Sequence, residues 1–427
     1  MNKSFDVGIH TLGCRVNMYE SCVIAERLIE KGVNVIKRGK CDYYIVNTCA
    51  VTAESERKSR QLVRRCAKNG KVLVIGCASQ LNSTVFSDIP NVIYVGGNRE
   101  KGAVVDVLCG EKMHINNVPC MDGCEYEDME FNGTSELFSE CRAFIKIQDG
   151  CNGKCTYCII PKCRGKIRSR SSEKIVDEAK RLVANGYSEI ILTGIEVSAY
   201  NKEPLYSLIE RVAAVPGVKR VRLGSLSPNI INEKFLQAVS GLSNFMPHIH
   251  LSLQSCSDKV LHDMMRPYRK QDVIDRVKLI RKYIPDCMIS ADIIVGFPGE
   301  TEEDYLETES TVKELEIFHV HSFPYSERKG TPAAEMPDSV PLNLRSERNN
   351  RLIKACGEIK SKIYNKLIGS YSEVLIEKIV DGIAIGHTGN FIEAKFPDES
   401  YNVGQIVKVK IVSSVGDYLY CEHSKEH

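Results

Sequence analysis

Residues 143–158 read AFIKIQDGCNGKCTYC, a strand-like run followed at once by three closely spaced cysteines. Apolar and polar residues alternate in AFIKIQD, which predicts a β-strand. Cys151, Cys155 and Cys158 are therefore expected on a loop at its carboxyl end. Three thiolates on one loop suit a cubane iron–sulfur cluster whose fourth iron stays open to an outside molecule. The alternative interpretation is a zinc site that uses CTYC and recruits Cys163 as a further ligand.

Strand and helix patterns alternate on both sides of this loop. Residues 141–341 contain about six βα units and predict a partial TIM-like barrel, whose active site lies at the carboxyl ends of its strands. Residues 1–110 predict a parallel α/β sheet domain. We interpret residues 111–140 as a linker, 342–370 as a basic connecting helix and 371–427 as a small barrel of five strands. The expected fold class is α/β with a carboxyl-terminal β-barrel.

Three cysteines of the first domain each follow a predicted strand: Cys14 in TLGCRVN, Cys49 in VNTCAVT and Cys77 in VIGCASQ. Parallel strands end on one side of a sheet, so these distant cysteines are expected to form a triangle that holds a second cluster. Unrelated core cysteines are the alternative, as expected for the helical Cys22, Cys66 and Cys109. The linker pair Cys120 and Cys124 lacks a third cysteine at a suitable distance and is not interpreted as a ligand pair.

The 18 cysteines are the unusual feature of the composition, since a net charge of +2 and 43% hydrophobic residues are ordinary. In a reducing compartment, many thiols favour metal or redox chemistry over disulfides. No apolar run reaches the length of a membrane span. We therefore expect a cytoplasmic protein, and a monomer.

The CxxxCxxC loop and the predicted partial barrel resemble the radical S-adenosylmethionine enzymes. In order along nearly the whole chain, TLGCRVN, NTCAVT, VIGC, CNGKCTYCIIP, ADIIVGFPGET and the final β-domain resemble the methylthiotransferase family. The resemblance implies two [4Fe-4S] clusters and S-adenosylmethionine, which is bound at the open iron and cleaved to a 5′-deoxyadenosyl radical. It also implies that the amino-terminal cluster holds sulfur and that the final domain, called TRAM, binds the macromolecular substrate.

Several residues beyond predicted strand ends are expected to surround S-adenosylmethionine. The resemblance places the aromatic ring of Tyr157 near the adenine, and the GFPGET run supplies glycines that allow close backbone approach. The expected cofactor-binding residues are Tyr157, Glu196, Arg222, Ser252, Gln254, Gly296 and Phe297. The chain departs from the family pattern at Ser227 and Cys256, which bears on the details of cofactor contact.

The segments TLGCRVN and GTPAAEMPDSVP most resemble the branch that methylthiolates carbon 2 of N6-threonylcarbamoyladenosine at position 37 of transfer RNA. This implies the anticodon loop as partner, and a flavodoxin- or ferredoxin-like electron donor. The alternatives are isopentenyladenosine in transfer RNA, or a ribosomal protein aspartate, whose branch usually reads SLGCPKN. An RNA-binding iron–sulfur protein without catalysis is a third hypothesis.

Basic residues concentrate in residues 54–71, 161–174 and 344–366, although the final domain is acidic overall. Clustered lysine and arginine contact phosphate with little base information, and a solvated helix face is the alternative. We expect RNA contacts from the second stretch and from one strand face of the final domain. The residues expected to meet RNA are Arg164, Lys166, Arg168, Arg170, Lys408 and Lys410.

Overall fold

A computed structural model describes residues 5–99, 101–110, 118, 121, 123, 125–126, 128–134 and 141–423. Cys120 and Cys124 lie outside the described residues. None of the helices in the described ranges is both long enough and apolar enough to cross a bilayer.

The first domain is a five-stranded parallel sheet flanked by helices, as predicted. The strand order is β2-β1-β3-β4-β5. Its central strands are nearly continuous apolar runs, which is typical of parallel strands covered on both faces. The elements are β1 (Asp6–Thr11), α1 (Arg15–Glu30), β2 (Asn34–Ile36), β3 (Tyr43–Thr48), α2 (Ala53–Ala67), β4 (Lys71–Gly76), α3 (Cys77–Leu81), α4 (Thr84–Ser87), β5 (Val92–Val95) and α5 (Ala103–Cys109).

The central domain is a partial barrel of six parallel strands, which confirms the predicted fold class. The strands form two sheets of three, β10-β9-β6 and β11-β12-β13, joined through the isolated bridges Val221–Phe245 and Leu226–Leu251. The elements are β6 (Arg142–Lys146), β7 (Gln148–Asp149), α6 (Ile160–Arg164), β8 (Arg168–Ser169), α7 (Ser172–Ala184), β9 (Glu189–Thr193), α8 (Leu205–Ala213), β10 (Arg220–Leu223), α9 (Glu233–Ser240), β11 (His248–Gln254), α10 (Asp258–Asp263), α11 (Lys270–Tyr283), β12 (Met288–Val295), α12 (Glu302–Glu314) and β13 (His319–Pro324). Short 3₁₀ turns cover Val197–Ala199, Pro228–Ile230 and Pro332–Glu335.

The carboxyl-terminal part is one long helix and a closed five-stranded barrel, consistent with a TRAM domain. Strands run in the order β14-β15-β16-β18-β17, and β14 pairs with β17 to close the barrel. The elements are α13 (Leu342–Leu367), β14 (Tyr371–Val380), β15 (Ile383–Thr388), β16 (Glu393–Pro397), β17 (Ile406–Val415) and β18 (Tyr418–His423).

This small barrel covers the amino-terminal end of the partial barrel. The guanidinium of Arg220, the first residue of β10, donates to the carbonyls of Glu373 and His387. The ring of Phe391 stacks on His248, the first residue of β11, at 4.9 Å between centroids. The final domain therefore does not cover the carboxyl ends of these strands, where the cysteine loop lies.

A buried ionic network joins the first domain to the partial barrel. The carboxylate of Glu20 on α1 contacts Lys101 from its own domain, Lys146 of β6 at 2.8 Å and Arg164 of α6 at 3.1 Å. Arg164 also pairs with Asp149 at 3.0 Å. Burying a charge away from water costs free energy. In this network each buried charge has an oppositely charged partner, which offsets that cost. It fixes α1, and with it the loop that carries Cys14, against the barrel.

Candidate iron–sulfur and cofactor site

The central cysteine loop follows β7 directly and ends at α6. The backbone N–H of Gly153 donates to Cys151 Sγ at 3.2 Å, and the N–H of Cys158 donates to the carbonyl of Cys155 at 3.1 Å. A β-carbon at Gly153 would lie 3.1 Å from Cys151 Sγ and 3.8 Å from Cys155 Sγ. The loop therefore wraps around a position where two thiols converge, and a side chain there would crowd them.

The donor set fits an iron–sulfur cluster better than a single zinc ion. Burial raises the pKa of Cys158 to about 12, and it also raises the pKa of Cys151, so the thiolates need a bound cation. Within the described residues, each cysteine triad contains at least two sulfur atoms that are more than 4.8 Å apart. Thiolates on one tetrahedral zinc are only about 3.8 Å apart. The wider spacing suits a cubane with one thiolate on each of three irons.

Arg266 is a site residue that the sequence analysis missed. Its guanidinium donates to Cys155 Sγ at 3.2 Å and to the carbonyl of Ser252 at 3.0 Å, and its Nε donates to the Tyr268 hydroxyl at 2.8 Å. Arg266 therefore places a fixed positive charge beside one of the three predicted cluster ligands. The RPYRK run after α10 carries no spacing that identifies this contact, which arises only when α10 packs beneath the loop.

Tyr157 and Phe297 lie in one apolar cluster beside the cysteine loop. The cluster also contains Val260, Met264 and Tyr325, and the rings of Phe297 and Tyr325 meet edge to face at 5.5 Å. Phe297 is fully buried. These two predicted residues are thus brought together in an apolar environment next to the loop.

Backbone conformation and packing against α13 require glycine at position 296, independently of any contact with adenine. The φ of Gly296 is +72°, a conformation that glycine adopts without strain, and a β-carbon would lie 2.3 Å from Cγ of Arg345 on α13. Its N–H donates to the Glu300 carboxylate at 2.7 Å. Burial raises the pKa of Glu300 to about 7. Helix packing therefore accounts for this glycine.

Glu196, Ser252 and Gln254 lie at strand ends around the cysteine loop. The Glu196 N–H donates to Gln148 Oε1 at 2.8 Å, and burial raises the pKa of its carboxyl group. Ser252 accepts from Arg266 through its carbonyl, and Gln254, the last residue of β11, has a φ of +66°. The positions agree with the expected ring, and their contacts to S-adenosylmethionine remain a prediction.

Arg222 does not lie where the sequence analysis expected it. It is the third residue of β10, not a residue beyond the strand, and it faces the amino-terminal end of the barrel. Its guanidinium donates to the carbonyls of Thr388 and Gly389, both at 2.9 Å, and pairs with Glu189 at 3.0 Å. Contacts with the final domain occupy this side chain, so its assignment to the cofactor was wrong.

The amino-terminal cysteines come together at one edge of the first sheet. Cys14 precedes α1, Cys49 follows β3 and Cys77 begins α3 directly after β4, and their three strands are neighbours. A β-carbon at Gly13, whose φ is +95°, would lie 2.7 Å from Cys49 Sγ. The thiols are also close enough for the neighbouring cysteines to affect the pKa of Cys49, which burial raises to about 11. The three thiols therefore lie at one edge of the sheet, and their ligation of a cluster remains a prediction.

Cys163 contacts the amino-terminal triad, although it lies five residues after Cys158. Its thiol hydrogen-bonds to Cys77, and this bond is the largest factor that lowers the pKa of Cys77 to about 5. Asn98 donates to Cys77 Sγ at 3.5 Å and to the Cys163 carbonyl at 2.9 Å. The short helix α6 therefore connects the two triads, and Cys163 is not placed to complete a zinc site with CTYC.

Two of the predicted RNA contacts are not available to RNA. Arg164 is fully buried in the ionic network, and Arg170 is 1% exposed and pairs with Glu178 and with Asp128. These two assignments were wrong, because both side chains fold inward onto acidic groups of neighbouring elements.

Three of the other four predicted RNA contacts are exposed. Lys166 is one of them, whereas the Arg168 side chain is 10% exposed, lies 3.6 Å from Asp149 and donates to the Arg164 and Lys166 carbonyls. Lys408 and Lys410 are exposed on one face of β17. Phosphate contact by these residues remains a prediction.

Comparison with known proteins agrees with this geometry. Residues 145–312 match the radical SAM superfamily, and residues 6–96 match a family described as uncharacterized protein family UPF0004. The threonylcarbamoyladenosine tRNA methylthiotransferase MtaB of Bacillus subtilis (strain 168) is 35% identical, over 96% of this chain and 94% of the relative. The tRNA-2-methylthio-N(6)-dimethylallyladenosine synthase of Caldicellulosiruptor saccharolyticus is 34% identical, over 99% of this chain and 92% of the relative.

A solved structure supports the fold. The radical S-adenosylmethionine methyltransferase TsrM from Kitasatospora setae superimposes with a TM-score of 0.55 at 16% identity, covering 77% of this chain and 75% of that chain. The sequence similarity extends over nearly the full length of the relatives. The chain therefore belongs to the radical S-adenosylmethionine methylthiotransferase family.

Proposed function

We propose that this protein transfers a methylthio group to carbon 2 of N6-threonylcarbamoyladenosine at position 37 of transfer RNA. The observation that carries the proposal is the pair of cysteine triads joined by α6, with the thiol of Cys163 on that helix hydrogen-bonded to Cys77. Full-length relatives that carry the threonylcarbamoyladenosine name support the nucleoside.

The substrate chemistry explains why two clusters are required. The target C–H bond of the purine has neither an acidic proton nor a leaving group, so acid–base or nucleophilic catalysis has little to act on. When bound, the clusters and S-adenosylmethionine supply sulfur, a methyl group and a radical. The protein supplies the ligands Cys14, Cys49 and Cys77 for one cluster, and Cys151, Cys155 and Cys158 for the other.

The chain's own residues orient and shield the reacting groups. Arg266 holds Cys155 and the end of β11 in one arrangement, and the apolar cluster around Tyr157 excludes water beside the loop. A base in the single-stranded anticodon loop leaves its stack at a cost of a few kcal/mol, so it can reach a site at the strand ends. We further propose a cytoplasmic monomer that takes electrons from a flavodoxin- or ferredoxin-like donor.

The test is anaerobic reaction of reconstituted enzyme with transfer RNA that carries threonylcarbamoyladenosine, followed by mass spectrometry of the nucleosides. We expect the 2-methylthio derivative, together with S-adenosylhomocysteine and 5′-deoxyadenosine. A parallel reaction contains RNA with dimethylallyladenosine, the nucleoside in the names of other relatives at 34% identity. Modification of that RNA or of a ribosomal protein, with threonylcarbamoyladenosine unchanged, would contradict the proposed substrate.

A further inference from the structure

The interior face of the partial barrel carries histidine side chains that are only partly buried. Along β11, Ile249, Leu251 and Leu253 are buried beneath the outer helices, whereas the alternating residues His248 and His250 are only half-buried. Alternate residues of a strand point to opposite faces, so the half-buried set faces the interior. The side chains of His248 and His250 therefore line the interior of the partial barrel without being fully buried.

An aspartate orients two histidines within this interior. His250 Nε2 lies 3.2 Å from one oxygen of Asp292, and His321 Nδ1 lies 3.2 Å from the other. His250 Nδ1 also meets the Ser290 hydroxyl at 2.7 Å. Burial opposes ionisation of Asp292, but the two histidine hydrogen bonds outweigh it and hold its pKa well below the usual range. With Nδ1 of His321 donating to Asp292, its Nε2 is left as an acceptor on a half-exposed ring.

Arg15 extends from the first domain into the same interior. It is the first residue of α1, directly after the cluster ligand Cys14, and its guanidinium lies 5.8 Å from the ring of Phe144 on β6. Asp292 and Glu189 are close enough to affect the pKa of Arg15, which burial lowers. Arg15 in turn contributes to the lowered pKa of His248. The contact with Phe144 places the Arg15 guanidinium in the barrel interior, within electrostatic range of Asp292.

Arg15 differs from its arginine neighbours because it has no anionic partner. Arg142 and Arg222 both pair with Glu189, at 2.6 Å and 3.0 Å. Among the residues that the structure describes, no carboxylate lies within 4.0 Å of the Arg15 guanidinium, and none accepts a hydrogen bond from it. A largely buried cation without a partner is costly, and a guanidinium binds a carboxylate through two parallel hydrogen bonds. The site is therefore suited to an anionic group that arrives with the substrate.

Building on the proposed function, we propose that Arg15 binds the carboxylate of the threonylcarbamoyl group and that His321 accepts a hydrogen bond from its hydroxyl. The dimethylallyl group of the alternative nucleoside has neither function and would leave Arg15 without a partner. Arg15 and His321 would thus be specificity-determining residues, which select the nucleoside before any chemistry occurs. Both oxygens of Asp292 already accept hydrogen bonds, so we assign it to positioning His321.

The test measures binding by reconstituted enzyme under anaerobic conditions at one fixed salt concentration. The probes are anticodon stem-loops that carry threonylcarbamoyladenosine, its methyl ester or dimethylallyladenosine. Wild-type enzyme should bind the free acid more tightly than the ester. Arg15→Gln should lose about tenfold to a hundredfold in affinity for the acid, with little change for the other two probes. His321→Gln should show a smaller loss with the same selectivity.

Two controls separate recognition from damage to the neighbouring cluster. Iron and sulfide content of Arg15→Gln should equal wild type, and Arg211→Gln on the outer helix α8, where Arg211 pairs with Glu203 at 3.0 Å, should leave all three affinities unchanged. If Arg15→Gln contains less iron than wild type, Arg15→Lys is used in its place. Arg15→Lys keeps the positive charge and should retain part of the preference for the acid. The ester comparison on wild-type enzyme needs no variant at all.

The outcomes distinguish this inference from the proposed function. Equal wild-type affinity for acid and ester, or a uniform loss on all three probes in Arg15→Gln, overturns the inference even if the enzyme methylthiolates threonylcarbamoyladenosine. Wild-type modification of dimethylallyladenosine alone overturns the proposed function itself.

Discussion

The two cysteine triads are built in opposite ways. Cys151, Cys155 and Cys158 lie on one loop, and local hydrogen bonds such as Gly153 N–H to Cys151 Sγ shape it. Cys14, Cys49 and Cys77 meet only because β1, β3 and β4 are neighbours in a sheet. The first triad is a property of a short peptide, whereas the second depends on the tertiary structure. Perturbations of the fold should therefore affect the two sites unequally.

Removing each triad separately should give the largest effects. Replacing Cys151, Cys155 and Cys158 by alanine should remove about half the iron and sulfide and abolish cleavage of S-adenosylmethionine. Replacing Cys14, Cys49 and Cys77 should also remove about half the iron, but it should leave cleavage largely intact and abolish sulfur insertion. Chemical iron analysis and chromatography of the cleavage products test both variants. Full iron content in either variant would contradict the assignment.

The buried carboxylate of Glu20 tests whether the second triad depends on domain packing. Glu20→Gln leaves Lys101, Lys146 and Arg164 short of a buried counter-charge, which should cost about 3–5 kcal/mol in the free energy of unfolding. The iron of the amino-terminal cluster should be lost before that of the central cluster. Denaturant unfolding with iron analysis measures both effects. The matched control is Glu54→Gln, because Glu54 is an exposed residue that pairs with Arg57, and it should change neither quantity.

The same network predicts a dependence of stability on pH. Burial raises the pKa of Glu20, but Arg164, Lys101 and Lys146 outweigh it and hold the pKa well below the usual value. Its stabilising contribution is therefore present above the unfolded pKa of 4.5 and is lost as the pH falls towards its folded value. Thermal unfolding should show weaker acid sensitivity in Glu20→Gln than in wild type. An equal decline in both proteins would contradict this role.

Arg266 should affect the central site alone, and by less. Arg266→Gln loses a charged hydrogen bond to Cys155 Sγ, so the reduction potential of the central cluster should become more negative. S-adenosylmethionine cleavage should slow by about tenfold. Redox titration followed by electron paramagnetic resonance measures the potential of each cluster. A shift confined to the amino-terminal cluster would be inconsistent with the observed contact.

The smallest effect is expected from the surface beside the central loop. Lys166→Gln should weaken transfer RNA binding and reduce the slope of log affinity against log salt by nearly one. Lys408→Gln and Lys410→Gln each test the face of β17 in the same way. Arg164→Gln should instead lower stability, since Arg164 is buried. Binding that is unchanged at low and moderate salt would assign Lys166 to a merely solvated surface.

The positions of both triads at strand ends could be predicted from the sequence, even where the cysteines are far apart. The arginines could not be predicted in this way. Arg164 and Arg170 belong to a basic stretch, yet their carboxylate partners come from α1, from α7 and from residues 128–130. Charge along a sequence does not reveal whether a side chain is exposed.

Arg222 illustrates the same limit. It was expected beyond a strand end, but its contacts are with the final domain. Arg15 and Arg266 were missed for the converse reason, since their significance depends on barrel strands that are distant in sequence. Local patterns thus predict elements and ligands, whereas domain packing decides the roles of long polar side chains.

The contact around Phe391 limits how freely the final domain can be exchanged between relatives. Arg220 and Arg222 donate four hydrogen bonds to main-chain carbonyls, which any transplanted sequence supplies if its backbone follows the same path. The ring that stacks on His248 and lies 5.0 Å from Arg222 requires an aromatic residue. A chimera should therefore tolerate wide sequence change across the transplanted strands, but not a shortened β15–β16 loop. In this protein the final domain closes the amino-terminal end of the partial barrel, so the two domains form one packed unit.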